Sequence, residues 1–131
     1  MICAFTGHRP EHLPWGRDED DPRCRALKIL LRRTVQQVYD RGFRTFLCGM
    51  ARGCDQYFAE AVLACRAAGT APEAILTAMV PCPSQKDGWL AEEQARYDAL
   101  LAACSAVEVL EPVYTPGCML RRNRAMVQRA S

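Results

Sequence analysis

One segment of this sequence has the residue types of a ligand loop: Gly49-Met50-Ala51-Arg52-Gly53-Cys54-Asp55. Two glycines let a backbone approach a ligand closely, and a helix starting there aims free amides and the positive end of its dipole at an anion. The segment has neither the Gly-x-Gly-x-x-Gly spacing nor the lysine of a phosphate loop. A tight strand-to-helix turn, with Asp55 in the first helical turn for dipole reasons, would use the same residues. A second group, Thr6-Gly7-His8-Arg9-Pro10, offers a hydroxyl, an open backbone, an imidazole and a guanidinium suited to a phosphate or a ribose. Its plain alternative is a polar surface loop with a solvated histidine. Asp55 and Glu60 are the nearby carboxylates, able to hold ribose hydroxyls or to act as general acid or base, and Glu60 could equally partner a surface arginine. Tyr57 and Trp89 could stack on a base, although their apolar helical spacing also suits a core. Arg121, Arg122, Arg124 and Arg129 lie on one basic stretch without interleaved aromatics, which reads as a solvated face rather than a nucleic-acid track.

These residues need elements to position them. Residues 2–6 form a short apolar run stopped by Gly7, as a buried strand would be. Asp21-Pro22 is a helix start, with a capping side chain and a ring pre-set for the first turn. Leu27, Leu30, Leu31, Val35, Val38 and Tyr39 then recur at helical spacing until Gly42. A strand over 43–48 enters the Gly49 segment. Tyr57, Phe58, Ala61, Val62 and Cys65 mark a second helix closed by Gly69, and residues 74–80 form a third strand ending at Pro81. A third helix, with Ser84 as an early cap, should carry Trp89, Leu90, Tyr97, Leu100 and Leu101. A fourth strand over 106–110 and a last helix from Leu120 to Arg129 complete the pattern. Four strand-helix units with strands apolar throughout predict a parallel sheet between helices, an α/β three-layer Rossmann-like sandwich. The loops opening at Gly7, Gly49, Pro81 and Pro112 should then share one edge, with a ligand crevice where the strand order reverses.

Composition narrows the class. The chain has 131 residues, 17 Lys+Arg against 15 Asp+Glu, and half of its residues are hydrophobic, which suits one domain over 1–131. A net charge of +2 makes no global field, which argues against nucleic acid as the main partner. No apolar run approaches the roughly 18 residues of a membrane span and no export signal opens the chain, so a cytoplasmic protein without membrane contact is expected. Eight cysteines without a Cys-x-x-Cys pair, and two histidines in one loop, give no zinc spacing, and in a reducing compartment they read as free thiols.

Together, Phe5-Thr6-Gly7-His8-Arg9-Pro10, Gly49 to Asp55 with Ala59-Glu60, Trp89 in the third helix, and Arg122-Asn123 with Met126-Val127 resemble the YpsA-like branch of the SLOG superfamily. That superfamily also holds the DNA-processing protein DprA and the LOG phosphoribohydrolases. The resemblance implies a Rossmann-like fold whose glycine loops bind a nucleotide or nucleotide-derived small molecule. On that analogy Thr6, Gly7, Gly49, Met50, Ala51, Arg52, Gly53 and Asp55 line the pocket, with Tyr57 and Trp89 close by and Asn123 at the rim. From their placement, His8, Arg9 and Pro81 join the candidate ligand residues. The Pro-Gly-Gly-x-Gly-Thr loop of the enzymatic relatives is missing here.

The expected function is a sensor or regulatory module binding a nucleotide-like ligand, with no cofactor established. The alternatives are a LOG-like hydrolase of an N-glycosidic bond, using Asp55 or Glu60, and a DprA-like single-strand binder. The branch's pattern would continue past residue 131 into a further strand and turn, so the domain is expected to be C-terminally shortened, with an exposed edge strand that favours pairing of two copies.

Overall fold

A computed structural model describes residues 1–130. Four strands, β1 (Ile2–Phe5), β2 (Thr45–Cys48), β3 (Ile75–Val80) and β4 (Ala106–Val109), form one parallel sheet in the order β1-β2-β3-β4. Four helices alternate with them: α1 (Pro22–Asp40), α2 (Cys54–Ala67), α3 (Ala91–Ala103) and α4 (Cys118–Arg129), and a short 3-10 turn covers Pro10–His12. The α/β three-layer reading therefore holds.

The side-chain period of two along each strand sorts the core into two layers. Cys3, Phe5, Phe46, Cys48, Leu76, Ala78 and Val80 pack against α1, α2 and α3. Ile2, Ala4, Leu47 and Met79 face the other way, onto Ala125 and Met126 of α4. An order that advances one strand at a time keeps every right-handed crossover on the same side of the sheet. Hence α1 to α3 share one face and α4 alone covers the other. Among the described strands the order never reverses, so the expected crevice at a reversal point is replaced by one built from loops and helix starts.

Local signals behave as their chemistry requires. Asp21 caps α1 by accepting from the Arg23 amide at 2.8 Å, with Pro22 in the first turn. Leu30, counted above on the apolar face of α1, is exposed. The third helix starts later than expected: Trp89 and Leu90 precede α3, Ser84 lies in a turn, and the Glu93 carboxylate holds the helix start by accepting from the Leu90 amide at 3.0 Å. All eight cysteines are free thiols, and Cys54, Cys82 and Cys118, which lie in or beside loops, are buried.

Candidate functional site

At the carboxyl end of β2 the chain turns through two left-handed residues. Met50 has φ 63° although it is not glycine, and Gly53 has φ 86° as the residue preceding α2. A side chain at Gly53 would be strained in that conformation, and its Cβ would lie 2.7 Å from the His8 carbonyl oxygen. The closeness is useful, because that carbonyl accepts from the Cys54 amide at 3.1 Å and ties the loop after β1 to the start of α2.

Asp55 reinforces the tie. One of its carboxylate oxygens accepts from the Gly7 amide at 3.1 Å and the other from the Ala51 amide at 3.3 Å, so a single side chain staples both glycine loops together. The carboxyl is buried, and burial pushes its pKa up to about 6 against the opposing pull of Arg122 and the two amides. With both oxygens engaged and little exposure, Asp55 organises the loops instead of meeting a ligand directly.

From beneath, α4 completes this layer. Arg122 is buried and donates to the Gly49 carbonyl at 2.6 Å, while its Nε donates to Asn123 Oδ1 at 2.8 Å. Gln85 donates to the same Gly49 carbonyl at 3.2 Å and to the Tyr97 hydroxyl at 3.3 Å. A Cβ on Gly49 would land on the Arg122 guanidinium, so the missing side chain is what lets Arg122 approach this closely. Burial draws the Arg122 pKa down, and the charge of Asp55 works against that pull.

The open space lies on the α2 and α3 side of the stapled loops: a crevice of about 330 Å³ lined by Pro10, Arg17, Glu19, Arg52, Gly53, Gln56, Tyr57, Leu90, Glu92, Glu93 and Arg96. Its charges are largely paired. Arg17 meets Glu93 at 2.9 Å, and Arg96 meets Glu60 at 2.6 Å and also bridges Glu19. Lys28 and Arg96 both lie over the ring of Tyr57, which is 3% exposed and so offers no free face to a base. Arg52 is different. Its side chain is only 18% exposed and stacks over Trp89 at 5.2 Å, yet the nearest carboxylates are Glu93 at 3.5 Å and Glu11 at 3.9 Å. Its Nε is buried without any hydrogen-bond partner.

The residues singled out from sequence therefore divide. Gly7, Gly49, Ala51, Gly53 and Asp55 meet as expected, and Met50 is buried within that same turn. Arg52, Gly53 and Tyr57 reach the crevice, while Trp89 lies under Arg52 and packs edge-on against Tyr97 without lining it. His8 and Arg9 are exposed beside it, Arg9 standing 3.9 Å from Glu11, and Pro81 is buried at the end of β3. Thr6 and Asn123 line a separate shallow depression on the α4 side, with Leu120 and Val127. Glu60 faces Arg96. At the start of α2 the Gln56 and Tyr57 amides both donate to the Gly53 carbonyl and the Cys54 amide donates to His8. Sequence reasoning missed Arg17, Glu19, Gln85, Glu93 and Arg96, which carry no local signal. Arg122 did carry one, because Cys118, Arg122 and Met126 recur every four residues on the buried stripe of α4.

Among the described residues no group of three or more His, Cys, Asp and Glu is gathered as a metal site, and no helix is long and apolar enough to cross a membrane. The YspA SLOG family model matches residues 3–131 of the chain. No curated protein matches it.

Proposed function

The chain belongs to the YspA SLOG family, with the match running from residue 3 to residue 131, and from that membership we propose that it binds a nucleotide or nucleotide-derived small molecule as a sensor or regulatory module. The observation that carries this reading is Arg52. A guanidinium largely withdrawn from water, with its Nε buried and unpartnered, leaves hydrogen-bonding capacity unfilled at real cost. An anionic group entering the crevice would meet the two Nη groups, which make no hydrogen bond to Glu93 at 3.5 Å or to Glu11 at 3.9 Å, and a guanidinium matches a phosphate or carboxylate by two-pronged contact. The stapled glycine loops make up the adjoining wall and hold Arg52 in place beside Trp89.

Binding is favoured over hydrolysis by the state of the two candidate carboxylates. Asp55 accepts two backbone hydrogen bonds and Glu60 pairs with Arg96, so neither is free to move a proton at a ligand in the crevice. Single-strand binding by α4 has little support. Arg121 pairs with Glu111, Arg129 with Glu108, and Arg122 is buried.

Isothermal titration calorimetry with AMP, ADP-ribose and NAD, on wild type and on Arg52→Gln, tests the proposal. At least one ligand should bind wild type, and Arg52→Gln should weaken it about tenfold or more, as loss of a charge-assisted hydrogen bond implies. Absence of heat with every ligand in a folded protein would overturn it.

A further inference from the structure

We infer that the crevice at Arg52 is a charge filter, accepting ligands with a single anionic group, such as one phosphate monoester, and rejecting polyphosphates. The inference rests on the nucleotide-binding reading above and goes on to say how much negative charge that ligand carries.

A polyphosphate site concentrates unpaired cations and free backbone amides around the chain of phosphates. This crevice has neither in excess. Its guanidiniums are Arg17, Arg52 and Arg96, and its carboxylates are Glu19, Glu92 and Glu93, so the lining charges balance. Arg17 and Arg96 are already held by carboxylates at hydrogen-bonding distance. Of the amides around the start of α2, those of Cys54, Gln56 and Tyr57 donate inward, to His8 and Gly53. Arg52 alone among the three cations has no hydrogen-bonded carboxylate, and its Nε is buried without a partner. One anionic group satisfies it.

A second or third phosphate would have to displace Glu93 from Arg17 or lie against Glu92 and Glu93. Like charges at such range in a partly dehydrated crevice repel, and no uncommitted cation offsets them. The same two carboxylates suit hydroxyl or amine donors, which a ribose carries.

The test is a comparison of AMP, ADP and ATP, which share base and ribose and differ in phosphate number. Each is titrated by calorimetry and by the ¹⁵N NMR signal of Arg52 Nε, which its burial should protect from exchange. Affinity should fall about threefold or more with each added phosphate in wild type, with the Arg52 signal shifting for AMP. Glu92→Gln, at an exposed position, and Glu93→Gln, which keeps an acceptor for the Leu90 amide, should each flatten or reverse the order. Affinity that rises from AMP to ATP in wild type overturns the filter and leaves nucleotide binding intact. Absence of binding by all three and by the larger ligands overturns both readings.

Discussion

A single buried carboxylate, Asp55, does the work of joining two loops that lie 48 residues apart in the chain. Because its pKa in the folded protein, about 6, lies above its ordinary value of 3.8, the folded state binds the extra proton between those values. The stability contributed by the protonated form is thus fully present below about pH 4 and is lost as pH rises through 6. A shift of this size corresponds to about 3 kcal/mol. Urea denaturation across pH 4 to 7 should show wild type losing that much relative to Asp55→Asn, which cannot ionise; parallel curves would refute the assignment. The glycines give a second residue-scale expectation. Gly53→Ala combines a left-handed φ with a backbone clash and should cost about 2–4 kcal/mol. Gly49→Ala meets only the end of a side chain and should cost less, about 1–2 kcal/mol, by displacing Arg122 from its carbonyl. Thermal melts of the two variants check the ranking.

Among elements, α4 shows how differently three arginines on one helix can act. Arg121 and Arg129 sit in half-exposed pairs with Glu111 and Glu108, and alanine at either should leave the melting temperature almost unchanged. Arg122 supports the turn after β2 from below. Arg122→Leu should cost about 2–4 kcal/mol and raise the pKa of Asp55 further, since the guanidinium is the charge that holds it down. Titration of Asp55 by ¹³C NMR in that variant reads the shift directly. At the start of α3, Glu93 is shared between the Leu90 amide, Arg17 and Arg52, so one residue couples the helix start to the wall of the crevice.

For the whole molecule, a one-way strand order leaves β1 and β4 as the two sheet edges. On β4, Val107 and Val109 are 44% and 50% exposed, and the strand carries no lysine or proline to blunt its edge. Self-association that grows with concentration is the expected outcome. Val109→Lys should reduce it in sedimentation velocity while changing stability by no more than about 0.5 kcal/mol. An unchanged sedimentation profile would remove β4 as the contact.

Much of this protein could be read directly from its residues. Continuous apolar strands alternating with helical periods specify a parallel α/β sandwich, because no other arrangement buries both faces of such strands. That the glycine segments and Asp55 share one edge of the sheet was legible, because both loops follow strands of a parallel sheet, although a plain strand-to-helix turn would use the same residues. What the tertiary structure decided was the role of each part. Asp55 became a staple, Tyr57 was closed between two cations, Thr6 and Asn123 went to the opposite face, and a crevice formed from Arg17, Glu19, Glu93 and Arg96. Charged residues so far apart in sequence have no shared period or spacing. Only packing α2 against α3 and folding the first loop over both brings them within hydrogen-bonding reach, and that proximity leaves Arg52 without a hydrogen-bonded carboxylate.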